Sequence, residues 1–346
     1  MNPWSKKHKA VTKASSGGMP YSLSNSFAEP LTHRELVALT LARGDDALVA
    51  AYSDHSLKYT PNGGSHDLRA AIAEQYGASI TAEHVLVFTG AQVALQTAAL
   101  ALAAECHTIV FTPGYQSTIE APSHFGGNVT QIPLSAAEDW AIDLVKVERA
   151  IVPGVTKYLV LNVPHNPSGT LISRRVQIEL AALCDRHGIY VLCDEVYRLL
   201  EHDPADRLPA FADLYRRGIS CVTLSKPWGG CGITIGWLAF SDLTIKQRLV
   251  DVQYFNTACP ARSSELQALM VLRASDEILK IRRRLIRSNF ELLHSFMVRY
   301  AKFFSWVQPK AGAIAFVKFN GPLTTEELGY ELAEVGISIK PACVHL

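Results

Sequence analysis

Apolar residues recur along this chain with two periods, and the mixture changes partway through. From about residue 67, short apolar runs at 85–88, 108–112, 158–162, 189–193, 221–224 and 237–240 have the length and residue types of strands. Between them lie segments with helical spacing. The run 67–76 places Leu68, Ala71, Ile72 and Gln75 on one face, 92–105 is a small-residue amphipathic helix, and 173–187 is the clearest of the set. Strands and helices that alternate at these lengths imply an α/β fold with a mostly parallel sheet covered by helices. After about residue 242 long helical patterns take over, at 243–254, 263–272 and 277–302. Strand-like runs follow at 304–307 and 313–318, then a helix at 324–335 and a last strand at 337–340. The pattern predicts an N-terminal arm over 1–44, a large domain over 45–242 and a smaller α+β domain over 243–346.

Composition keeps this picture and narrows the class. With 346 residues, the chain has room for about two domains. Apolar residues make up 48% and charged residues 19%, with a formal net charge of +1. That is ordinary for a soluble globular protein, and no global charge points to nucleic acid or to an acidic membrane. A basic run (Lys280, Arg282, Arg283, Arg284, Arg287, Arg299, Lys302) falls on a helix whose other positions have core periodicity, so it reads as a solvated face. The cysteines are Cys106, Cys184, Cys193, Cys221, Cys231, Cys259 and Cys343. Their number is odd and their spacing shows no C-x-x-C, which argues for a reducing compartment and against a disulfide framework or a metal site. The basic N-terminus leads into no apolar signal region, and the stretch 93–104 is too short to span a bilayer. A cytoplasmic protein without membrane partners is expected.

The chemistry sits at predicted strand ends. Asp194 and Glu195 close one apolar strand, where a carboxylate points into the usual ligand crevice, although Asp194 alone serves equally well as a helix cap. Thr223-Leu224-Ser225-Lys226 ends the next strand. A lysine there beside hydroxyls suits an imine with a carbonyl cofactor, and in isolation it reads as a surface lysine. The run Gly229-Gly230-Cys231-Gly232 after it needs special backbone angles or close packing. Asn162 to Thr170 holds Asn166-Pro167-Ser168-Gly169, strong turn chemistry with or without function. Thr89-Gly90-Ala91-Gln92 lies between a strand and a helix, where exposed amides bind anions. Pro113-Gly114-Tyr115 brings an aromatic to the same region, with core packing as the plainer reading.

Together these motifs resemble the class I and II aminotransferases, pyridoxal-phosphate enzymes of fold type I. Asn166-Pro167-Ser168-Gly169, Asp194-Glu195-Val196-Tyr197, and Ser225-Lys226 with its glycine-rich sequel match in order, as does Lys58-Tyr59-Thr60-Pro61-Asn62-Gly63-Gly64 with Leu68-Arg69. The resemblance covers about residues 45–340. It implies a seven-stranded, mostly parallel sheet in the large domain and pyridoxal 5'-phosphate as cofactor. It further implies that Lys226 forms the Schiff base and shuttles the substrate's α-proton. Asp194 keeps the pyridine nitrogen protonated, so that the ring acts as an electron sink. Tyr197 and Asn166 bond the ring's phenolic oxygen, Tyr115 stacks on the ring, and Gly90, Ala91, Gln92, Thr223 and Ser225 belong to the cofactor site. Tyr59 reaches the phosphate of a second subunit, which implies a homodimer with shared active sites. His165, beside Asn166, reads as local structure.

The sequence departs from the family in two places. The arginine expected eight residues after the lysine, gripping the phosphate, is replaced by Thr234. A hydroxyl does not supply bidentate contacts, so the phosphate clamp is left open. The arginine that binds the substrate α-carboxylate, with the final helix and strand, has no counterpart after Pro341, and the C-terminal end reads as truncated. The expected activity is transfer of an amino group from an amino acid to an oxo acid. The alternatives are an elimination or cyclisation on an amino acid, weakly suggested by Ser15-Ser16-Gly17 and Thr234 through the capreomycidine-synthase-like branch, and an inactive remnant.

Overall fold

A computed structural model describes residues 20–340. Its strands are β1 (Tyr21–Ser22), β2 (Val85–Phe88), β3 (His107–Thr112), β4 (Asn128–Pro133), β5 (Thr156–Asn162), β6 (Tyr190–Asp194), β7 (Gly218–Thr223), β8 (Gly236–Phe240), β9 (Phe304–Trp306), β10 (Val317–Phe319) and β11 (Ile337–Ser338). Seven of them form one sheet in the order β2-β8-β7-β6-β5-β3-β4. All pairs are parallel except those of β8, which runs against β7 and β2.

The central strands are apolar at consecutive positions because both faces of the sheet are covered. Val110, Tyr158, Val160 and Leu192 pack on one face with the helix Ala91–Leu102. Their neighbours Ile109, Leu159, Leu161, Val191 and Cys193 pack on the other with the helix Arg174–His187. Each such side chain taken fully out of water contributes about 1.5–3 kcal/mol. The parallel strands end on a common edge: Asn162 pairs with Asp194, and Asp194 with Cys221. That edge positions the site.

The helices Lys246–Asn256 and Arg262–Arg273 lie against Ala91–Leu102 and His66–Ala73. The helix His33–Ala42 also packs on Arg262–Arg273. Further upstream, β1 pairs with β11 in parallel, Tyr21 opposite Ile337. Of the predicted strand 313–318 only Val317 and Lys318 are paired, with β9, in a strand that runs Val317–Phe319. The basic helix Ser275–Arg299 is not solvated at every charge: Arg282 is 6% exposed. It lies under the glycine-rich run, where a Cβ on Gly229 would come within 3.0 Å of its Nη2.

Candidate active site

Lys226 follows the end of β7 and is largely enclosed. Its Nζ donates to Ser26 Oγ at 2.9 Å and lies 5.7 Å from the centre of the Tyr197 ring. Burial pulls its pKa down to about 8; the charge of Lys340 acts in the same sense, and Asp194 opposes it. The amine is therefore neutral in about a tenth of molecules at pH 7 and in about half at pH 8, far more than an ordinary lysine supplies to act as a nucleophile or base.

Asp194 closes β6 and is 3% exposed. The Val196 N–H donates to its Oδ1 at 3.2 Å. Burial raises its pKa to about 7, against the pull of that N–H and of Lys226. A buried carboxylate with so little compensation is poised for a cationic partner. Tyr197 adds a buried hydroxyl that makes no hydrogen bond. Burial raises its pKa strongly, with Ser26 acting in the opposite sense.

Opposite this group is the start of the helix Ala91–Leu102. Gly90 caps it at φ +88°, a conformation that favours glycine, and no side chain bonds the first N–H groups. Space in front of Gly90 is open. Behind it, a Cβ on Gly236 would come within 2.4 Å of the Ala91 nitrogen, so only glycine lets β8 abut the helix start. Gln92 ties this end to the aromatic wall. Its Nε2 donates to Ser117 Oγ at 2.5 Å, and its Oε1 accepts from the Tyr115 hydroxyl at 3.3 Å. Burial and the Asp194 charge push Tyr115 up to about 12. Thr223 Oγ1 lies 3.1 Å from Ser225 Oγ.

The structure thus brings Lys226, Asp194, Tyr197, Tyr115, Gln92, Thr223 and Ser225 together with the Gly90–Ala91 backbone. Asn166 joins through its backbone N–H, which donates to Asn162 Oδ1 at 2.6 Å while Asn162 Nδ2 donates to the Asp194 carbonyl at 2.8 Å. His165 sits between Ser168 Oγ at 2.7 Å and the Pro113 carbonyl at 2.9 Å. Tyr59 stands apart: it is 93% exposed in a loop of its own. Thr234 is exposed and donates back to the Gly232 carbonyl at 3.3 Å. Ser15, Ser16, Gly17 and Pro341 lie outside the described residues.

Sequence reasoning missed Ser26, Asn162 as a rivet, and Lys340. Asn162 was legible as the last residue of a strand, but Ser26 and Lys340 carry no motif.

The residues present fit pyridoxal phosphate. The uncompensated Asp194 carboxylate suits a protonated ring nitrogen, the orphan Tyr197 hydroxyl a phenolic oxygen, and the uncapped helix start a phosphate. Among the described residues no group of side chains is suited to a metal ion, and no helix is long and apolar enough to cross a membrane.

Comparison with known proteins agrees with this geometry. Residues 33–344 match the family model for aminotransferase class I and II. An aspartate/prephenate aminotransferase of Thermus thermophilus is 29% identical over 89% of this chain and 83% of its own length. An arginine–pyruvate transaminase of Pseudomonas aeruginosa is 32% identical, over 51% of this chain and 46% of its own. Among solved structures, a pyridoxal-phosphate-dependent aminotransferase from Streptococcus suis superposes with a TM-score of 0.85 at 26% identity, covering 92% of this chain and 84% of the other. A pyridoxal-phosphate-dependent cyclase shares the fold, with a TM-score of 0.83 at 24% identity over 94% and 85%.

Proposed function

This chain belongs to the class I and II aminotransferases, and from that premise we propose that the cluster around Lys226 is its active centre, moving an amino group from an amino acid to an oxo acid. One observation carries the assignment: a largely desolvated lysine just past the end of β7 lies on the sheet edge beside a buried aspartate that closes the neighbouring strand β6 and accepts a single hydrogen bond, from the Val196 N–H. Pyridoxal phosphate, when bound, supplies a carbonyl for the lysine and a ring that takes up the electron pair left when the α-proton departs. Asp194 holds a positive charge on the ring nitrogen. Asn162, bonded to the backbone on both sides, fixes the distance between that strand end and the Asn166 turn. Tyr115, held by Gln92, walls the ring, and the helix start with Thr223 and Ser225 receives the phosphate. Lys226, whose resting partner is Ser26, would carry a proton at its Nζ during the reaction.

Exposed Tyr59 and Leu57 support a homodimer in which Tyr59 crosses to the partner's phosphate, because side chains this apolar at 93% and 94% exposure favour cover. The protein works in the cytoplasm on this reading, consistent with free cysteines throughout the described residues. Product analysis tests the function. A panel of amino acids run on cofactor-loaded protein without acceptor should give one oxo acid per active centre. A cyclised or eliminated product, released repeatedly without acceptor, would replace the reading by a cyclase or lyase.

A further inference from the structure

The turn between Asp194 and Tyr197 is held from behind by a side chain that the chemistry leaves unused. Glu195 follows Asp194 at the end of β6 and is 3% exposed. Its N–H donates to the Cys221 carbonyl at 2.9 Å, its carbonyl accepts from the Arg198 N–H at 2.9 Å, and its Oε1 accepts from the Phe211 N–H at 2.8 Å. Its other oxygen, Oε2, makes no hydrogen bond. Phe211 opens the helix Phe211–Leu214, where an N–H has no partner within the helix. The next N–H, of Ala212, donates to Ser220 Oγ at 3.2 Å and fastens that helix to β7. Glu195 is thus moored to β7 through its backbone, and through its side chain to a helix that is itself fixed on β7. Downstream, Arg198 Nη1 donates to the Gln75 carbonyl at 3.1 Å, and its guanidinium lies 5.5 Å from the centre of the Tyr76 ring. Tyr197 stands between these two anchored residues.

We propose that Glu195 is a positioning residue for the reaction: through the Phe211 bond it holds Tyr197 in place beside Lys226, where the centre of the Tyr197 ring lies 5.7 Å from the lysine Nζ. The inference rests on the function proposed above and adds to it a residue that touches neither substrate nor cofactor. Tyr197 is two residues from the tether, and the turn between them is closed by the bond from the Arg198 N–H to the Glu195 carbonyl. A turn this short carries a shift of Glu195 over to Tyr197. Displacing a reacting group by about 1 Å is enough to cost on the order of a hundredfold in rate. On the proposed function the Tyr197 hydroxyl donates to the phenolic oxygen of the ring. Such a bond stabilises the oxygen's anion and lowers the proton affinity of the imine beside it. Slackening the tether weakens that bond and moves the pH midpoint of the imine absorbance band upward.

The test compares Glu195→Met, which keeps the length of the side chain and removes the acceptor, with Glu195→Gln, which keeps an oxygen for the Phe211 N–H and removes the charge. Burial raises the Glu195 pKa to about 7, against the pull of the Arg198 charge and of that N–H, so near neutral pH the amide is a close stand-in. Hydrogen exchange on cofactor-free protein, read residue by residue, scores the tether. Absorbance of cofactor-loaded protein across the pH range scores its consequence. Glu195→Met should speed exchange at residues 196–200 and at Phe211 about tenfold and raise the imine midpoint by about one pH unit, while Glu195→Gln stays within about threefold and about 0.3 pH unit of wild type. Faster exchange with an unmoved midpoint overturns the proposal and leaves Glu195 merely structural. An equal midpoint shift in both variants also overturns it, because the charge and not the tether is then at work. Should Glu195→Met fail to fold, the Phe211 amide decides: protection in both wild type and Glu195→Gln upholds the tether, and exchange at the rate of an unstructured peptide overturns it. Borohydride fixation of the cofactor on wild-type Lys226 scores the parent reading separately. If fixation fails while exchange still depends on Glu195, the function falls and the tether stands.

Discussion

Replacing Asp194 by Asn should stabilise the cofactor-free protein while ruining the enzyme. The Asp194 carboxyl is 3% exposed and accepts one 3.2 Å hydrogen bond, and its pKa stands at about 7 against an ordinary value of 3.8. That difference corresponds to about 4 kcal/mol of penalty on the ionised form in the folded state. The sign follows from proton counting. Between about pH 4 and 7 the folded protein keeps a proton that the unfolded chain has lost, so stability falls as pH rises through this window and levels off above it. Asn has no proton to lose, and its amide oxygen keeps the Val196 N–H. The variant should therefore match the wild type near pH 4 and exceed it by up to about 4 kcal/mol at pH 8. Urea denaturation of both proteins, cofactor removed, at pH 5 and pH 8 gives the comparison. With cofactor and substrate present, the same variant should lose about a hundredfold or more in turnover, because a neutral amide does not hold the proton on the ring nitrogen. If the Asn protein proves less stable than the wild type at pH 8, the folded state already compensates the charge, and Asp194 is not held in reserve for a cationic ring.

Three further outcomes follow from the site. The rate at which the imine absorbance band grows on adding pyridoxal phosphate should climb through about pH 8 and flatten above it, since only the neutral Lys226 amine attacks; a rate independent of pH from 6 to 10 would contradict this. Ser26→Ala, which removes the 2.9 Å partner of Lys226, should lower kcat by about tenfold with little change in cofactor affinity, as single-turnover kinetics and dialysis would show; loss of cofactor in step with kcat would make Ser26 merely structural. Gly236→Ala places a methyl 2.4 Å from the Ala91 nitrogen and should weaken phosphate-dependent cofactor binding about tenfold or more, while pyridoxal lacking the phosphate binds the variant and wild type alike.

How much of this was legible in the sequence depended on which side chains were buried, and against what. Strand β2 was readable to its ends because Val85, Leu86, Val87 and Phe88 are all buried. Strand β4, at the opposite edge of the sheet, was not, because its Asn128, Gln131 and Pro133 are exposed. The helix Gln116–His124 was hidden by Pro122, which breaks the expected pattern from inside. The residues at strand ends were legible because parallel strands deliver them to one edge, so Asp194 and Lys226 needed only correct strands to be placed together. Arg282 was misjudged because helical charge spacing does not reveal that Glu29 and Glu35 approach from another segment. Ser26 acts across a contact that local pattern does not encode: it meets its lysine 200 positions away.

The pairing of β1 with β11 also bears on how the protein is made. Ser24 and Ser338 touch across 314 positions, a separation that places the contact among the slowest to form. On the ribosome, Asp194 and the strands around it have emerged long before residue 338 does, so the large sheet can assemble while the serine-lined side of its crevice is still open. During that interval the segment carrying Ser26, which follows β1, is not yet held by its pairing with β11. A nascent chain could thus load its cofactor before the fold closes over it, and the last strand pair would seal in a group already bound.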